Sequence, residues 1–94
     1  MGSEPRRYQV SLKPSAEREL AGLQKKDQKK VARKIEELAG NPRPHRVEKL
    51  QGGEDLYRVR AGDYRIIYQV GDKVLVVLVV TIGHRGDVYR VLKR

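Results

Sequence analysis

The sequence predicts an α+β fold: an N-terminal strand, a helix hairpin, then an antiparallel β-meander with the helices packed on one face of its sheet. Three observations predict it. Apolar residues alternate in "RYQVSL" (7–12), the period of a strand, and then recur at helical spacing as Ala16, Leu20, Leu23 and as Val31, Ile35, Leu38. Three strand-like runs follow in quick succession, separated by Gly-Asp dipeptides. The last of them, "KVLVVLVVTI" (73–82), is apolar on both sides of its pleat, so it belongs inside the sheet with both faces covered.

Each element has a local reason. Tyr8, Val10 and Leu12 point one way from the first strand, and Pro14-Ser15 ends it. Good helix formers surround Ala16, Leu20 and Leu23. Asp27 reads as the N-cap of a second helix, and "GNPRP" (40–44) stops that helix with glycine followed by proline. The hairpin is expected to fold around "QKKDQ". Residues 45–55 read as a loop that carries Val47 and Leu50 back to the core. The meander is then "LYRVRA" (56–61), "YRIIYQV" (64–70) and the apolar run. Gly62-Asp63 and Gly71-Asp72 each place glycine first in a two-residue loop, which suits a type II′ hairpin turn.

Ninety-four residues make one domain, 1–94, with residues 1–6 set aside as a disordered or tag-derived leader. The absence of cysteine excludes disulfides and thiolate metal sites, and two histidines, His45 and His84, do not make a zinc site. The longest apolar run is about half of a membrane span and no signal peptide precedes it. A cytoplasmic protein without metal or cofactor is expected. The charge is more telling. Lys and Arg number 21 against 12 Asp and Glu, a net charge of +9, which draws polyanions. Lys25, Lys26, Lys29, Lys30 and Lys34 crowd one helix face, either as a solvated surface or as one that tracks phosphates.

The arginines of the meander give a sharper clue. A two-residue loop at Gly62-Asp63 sets Arg60 directly opposite Arg65, with Arg58 on the same face. Like charges across a ladder are destabilising by roughly 0.2–1 kcal/mol per pair, a cost that a purely structural hairpin has no reason to carry. A phosphate-binding face does, because guanidinium forks onto phosphate oxygens. Extending the register through a two-residue loop at Gly71-Asp72 pairs Arg65 with Leu78 and brings His84 to the arginine side. Arg85 and Tyr89 follow. Together these residues suit RNA: guanidiniums for phosphate, an imidazole to move a proton and a ring to stack on a base.

"LYRVRAGDYRIIYQV" followed by "VTIGHRGDVY" resembles the signature half of the RelE/ParE toxin superfamily, closer to RelE than to ParE. "LKPSAERELAGL" and "VARKIEELAGNP" resemble its helix hairpin, so the resemblance spans about Tyr8 to Tyr89. It implies a toxin of a type II toxin–antitoxin system that enters the ribosomal A site, against the 16S rRNA surface, and cuts mRNA without a metal or cofactor. It also implies a RelB-like antitoxin as partner. By the same resemblance Arg65 and Arg85 hold the scissile phosphate, Arg58 and Arg60 position the backbone, Tyr89 orients the nucleotide and His84 serves as acid or base. Lys25, Lys26, Lys29 and Lys30 extend the RNA surface. The sequence departs from the pattern twice: Arg58 and Arg60 stand where RelE toxins often carry lysine, and the link from Arg85 to Tyr89 is short. A ParE-like gyrase inhibitor and a non-catalytic RNA- or ribosome-binding module are the alternatives.

Overall fold

The computed structural model describes residues 7–51 and 55–84. The expectations for residues 1–6, Arg85 and Tyr89 lie outside the described residues. The element order is β1 (Gln9–Leu12), α1 (Pro14–Ala21), α2 (Lys25–Gly40), β2 (Glu48–Lys49), β3 (Leu56–Ala61), β4 (Tyr64–Gly71) and β5 (Val76–His84). Among the described residues these strands form one five-stranded sheet in the order β1-β5-β4-β3-β2. All pairs are antiparallel except β1 with β5, which run parallel from Gln9↔Val76 to Leu12↔Val79. The predicted class and layout hold.

Proline opens α1 at Pro14, where its missing N–H is no loss, and Glu17 complements the positive end of the helix. The second helix begins earlier than its sequence suggests. Gln24, extended at φ −63° and ψ 153°, is the N-cap and offers no side-chain cap, while Asp27 sits inside the first turn. The reason is the short link of residues 22–24. The Gln24 carbonyl already accepts from the Gln28 N–H at 2.8 Å, and the Gln28 side chain donates to the Leu20 carbonyl at 3.1 Å. Asp27 instead lies 3.4 Å from the Tyr64 hydroxyl. No helix among the described residues is long and apolar enough to cross a membrane.

The core lies between the helices and one face of the sheet. Ala16, Val31 and Leu38 meet Ile66, Tyr68, Val70, Val77 and Val79, all with almost no exposed surface. Tyr8, Val10, Leu12, Leu20, Leu23 and Val47 pack around them half-buried. On the other face Ile67 and Thr81, which pair across β4 and β5, are also buried. The interior position of β5 therefore matches the apolar pattern, while its second face is covered only in part, with Val76 and Leu78 half-buried.

The stretch expected to be wholly loop contains β2, which pairs Glu48 with Arg58 and Lys49 with Tyr57. Two exposed charged residues carry no strand period, so nothing in the sequence marks it. The second Gly-Asp dipeptide is a larger departure. Gly71 is still in the ladder, opposite Val76, and residues 72–75 form the turn with Leu75 at φ 56°. Gly71 has no positive φ, and a Cβ there would stand 2.9 Å from Val74 Cγ2, so the exposed Val74 side chain would have to shift. Further on, Ile67 faces Thr81 while Tyr68 faces Val79, so Val80 is a bulge. Both changes alter the register, and Arg65 pairs with Gly83 instead of Leu78.

α1 is fixed to that bulge. Ser15 Oγ donates to the Val80 carbonyl, and the Glu19 carboxylate accepts from the Ile82 N–H at 2.8 Å and the Thr81 hydroxyl at 3.1 Å. β1 stops opposite Val79, so Glu19 satisfies part of the sheet edge that β1 leaves open. At the opposite end, Arg43 makes a bidentate pair with Asp72 at 2.7 and 3.0 Å. Its Nε donates to the Tyr57 hydroxyl at 2.8 Å, and Tyr8 donates to Asp72 at 2.6 Å. The Tyr68 hydroxyl, buried, donates to the Pro42 carbonyl at 2.7 Å. The chain leaving α2 is thus clamped to the sheet before it reaches His45.

Candidate nucleic-acid interface

The first hairpin turn has the predicted form. Gly62 has φ 63°, Asp63 is not left-handed, and Ala61 pairs with Tyr64, as a type II′ turn requires. That register sets Arg60 directly opposite Arg65. Arg58 lies on the same face, because Tyr57, Val59 and Ala61 turn inward to the core between the arginines. Burial, and then the charge of Arg65, pull the Arg58 guanidinium below its ordinary pKa. The local field therefore disfavours cations, and an anion relieves it.

β2 ends at Glu48↔Arg58, so the outer edge of β3 from Val59 onward has no strand beside it among the described residues. A cavity of about 540 Å³ lies there. Its floor is Arg58, Val59, Arg60 and Arg65, with Gly62 at one end. The loop before β2 adds His45, Arg46 and Glu48, and α2 adds Lys34. Glu48 is the one carboxylate, and it forms an ion pair with Arg58. A phosphate entering the cavity would share the Arg58 guanidinium with Glu48 and find Arg60 and Arg65 alongside.

A second concavity of about 300 Å³ shares Lys34, Arg60 and Gly62 and adds Lys30, Arg33 and Glu37 from α2, the last paired with Lys34. The basic surface therefore runs continuously from the sheet edge onto the helix. Lys30 lies along the Gly62 turn, its Cδ 3.7 Å from where a Cβ would be. Of the lysines read from the sequence, Lys30 and Lys34 join this surface. Lys25, Lys26 and Lys29 are exposed on the helix but line neither concavity.

His84 is not where the extrapolated register puts it. It pairs with Tyr64 across the ladder, on the side opposite Arg65, and meets the Tyr64 ring edge-on with centroids 5.4 Å apart. The bulge at Val80 accounts for the reversal, since the longer turn shifts the register by four residues and keeps the face. Reading the sequence also missed His45, Arg46, Glu48 and Arg33 as lining residues. The first three lie in a segment without periodicity, and their approach to Arg58 depends on the β2–β3 pairing. Arg85 and Tyr89 lie outside the described residues.

Residues 10–89 match the family model described as the ParE toxin of type II toxin–antitoxin system, parDE. A protein of Escherichia coli described as a RelE-like toxin is 38% identical over 87 residues, covering 88% of this chain and 90% of the relative. The mRNA interferase toxin RelE of Escherichia coli strain K12 is 36% identical over 63 residues, covering 63% of this chain and 65% of the relative. Among solved structures, the archaeal RelE–RelB complex from Pyrococcus horikoshii OT3 aligns with a TM-score of 0.75 at 33% identity. That alignment covers 84% of this chain and 96% of the other.

Proposed function

Because this chain belongs to the ParE toxin family of type II toxin–antitoxin systems and is RelE-like in sequence and fold, we propose that it is a ribosome-dependent endoribonuclease that cuts mRNA in the A site. The observation that carries the reading is the opposed Arg60–Arg65 pair with Arg58 beside it, lining a cavity of about 540 Å³. In the proposed reaction the ribose 2′-oxygen attacks the adjacent phosphorus. It leaves a 2′,3′-cyclic phosphate on one fragment and a 5′-hydroxyl on the other.

Arg65 holds a non-bridging phosphate oxygen and stabilises the charge that grows on it in the transition state. Arg58 and Arg60 fix the backbone on either side, and Lys30, Arg33 and Lys34 carry the strand onward over α2. By resemblance, Arg85 joins Arg65 on the phosphate and Tyr89 orients the nucleotide. Its partner is an antitoxin comparable to the RelB of the archaeal complex, whose acidic or amphipathic segment covers the basic surface.

Primer extension on an mRNA in a reconstituted bacterial translation system tests this. The wild type is expected to cut in phase with A-site codons and not to cut the same RNA without ribosomes. Arg65→Ala and Arg85→Ala, both still folded by circular dichroism, are expected to lower cleavage by at least about 100-fold, as loss of one transition-state donor does. Normal cutting by both variants would overturn the assignment. The family model's ParE name motivates a second reading, gyrase poisoning. Loss of DNA supercoiling with no cut RNA ends would establish it instead.

A further inference from the structure

The cleavage proposed above needs a group that accepts the 2′-hydroxyl proton as the oxygen attacks. Arg46, Arg58, Arg60 and Arg65 remain protonated guanidiniums and cannot take it. That leaves Lys34, Glu48 and His45 among the residues lining the cavity. Lys34 is held in an ion pair with Glu37 at 3.2 Å, and an ammonium has no lone pair to offer. Glu48 is engaged by Arg58. His45 is exposed and makes no hydrogen bond or ion pair with any described residue, so both ring nitrogens are open to a substrate.

Its placement is built rather than incidental. The Val47 N–H bonds the Pro44 carbonyl at 3.1 Å and closes a turn with His45 and Arg46 at its corner. Arg46 has φ 73°, the left-handed value a type II turn requires at that position and usually fills with glycine. A non-glycine residue there costs on the order of 1–2 kcal/mol, and such strain collects at working sites. The turn is anchored on both sides, by the Arg43 clamp with buried Pro42 before it and by Val47 against the core after it.

We infer that His45 is the proton acceptor of the cleavage site, presented by a strained turn to a 2′-hydroxyl whose phosphate lies on Arg58, Arg60 and Arg65. An imidazole nitrogen takes the proton as the O2′–H bond breaks and the O2′–P bond forms. The P–O5′ bond breaks, and the 5′-oxygen leaves with the electron pair and takes a proton from water. The hydroxide so formed receives the proton back from the imidazolium. The charged groups around the ring are Lys34 from α2, Arg46 beside it, Glu48 from β2, Arg58 and Arg60 from β3, and Arg65 from β4.

Single-turnover cleavage of a short mRNA on reconstituted ribosomes tests the inference with wild type, His45→Ala and His45→Gln. Both variants are expected to lose about 100- to 10,000-fold in rate with half-saturation changed less than about 3-fold. The rise in rate with pH near neutrality is expected to vanish, and free imidazole to restore part of the His45→Ala rate. A substrate with sulfur for the bridging 5′-oxygen, whose leaving group needs no proton, is expected not to restore it. A wild-type rate or pH profile in His45→Ala overturns the inference, and so does rescue by the sulfur substrate. A wild type that cuts nothing overturns the cleavage reading itself, and this inference with it.

Discussion

Arg46 shows how a single backbone angle exposes a compromise. At φ 73° it occupies a conformation that glycine adopts freely, while its side chain lines the basic cavity. Arg46→Gly removes strain of about 1–2 kcal/mol, offset by about 0.4–1 kcal/mol of added freedom in the unfolded chain. The variant is expected to match or exceed wild-type stability by up to about 1 kcal/mol in urea denaturation, and to bind RNA more weakly. A clear loss of stability would show that the arginine side chain holds the turn. No sequence pattern reveals this residue, because a left-handed arginine carries no signature. Arg58, Arg60 and Arg65 were legible, because one dipeptide turn fixes their register.

At the scale of elements, the periodic segments are legible in the sequence and the connections, the Gly62-Asp63 turn excepted, are not. Val31, Ile35 and Leu38 form the buried stripe of α2 because 3.6-residue spacing leaves little choice. Gly62-Asp63 and Gly71-Asp72 look alike in sequence, yet one is a tight turn and the other begins a longer one. Gly71 remains in the ladder opposite Val76, so the second turn starts one residue later than its dipeptide suggests. The bulge at Val80 is equally silent, and it alone moves every later residue of β5 to the other face. The site lost His84 from the arginine face for that reason. His45 went unread as a lining residue because its loop has no period at all.

The same connections are tied by Asp72. Hydrogen bonds from Arg43 and then from Tyr8 hold its carboxyl down at about 2, against an ordinary 3.8. A carboxylate with a lowered folded-state pKa stabilises the fold fully above its unfolded value and loses that contribution as pH falls through the folded one. The denaturation midpoint of the wild type is therefore expected to fall between pH 4 and pH 2 more steeply than that of Asp72→Asn. Parallel curves would remove the clamp from the acid response. The pair is solvent-exposed, so the effect is modest.

For the molecule as a whole, the RNA binding proposed above would, at a net charge of +9, be salt-dependent. The slope of log K against log salt is expected to shrink by about 0.7 for each single-strand phosphate contact removed. Arg60→Ala, at the junction of both concavities, tests this by filter binding at several salt concentrations. An unchanged slope would take Arg60 off the path of the strand. The sheet has a consequence of another kind. Its first strand lies parallel against its last, residues 9–12 against residues 76–79. Contacts so distant in sequence form late, since a long loop must close before they return any energy. During synthesis β1 therefore waits unpaired until residues 76–79 have emerged. A nascent chain halted before Val76 has no neighbour against which to lay its first strand.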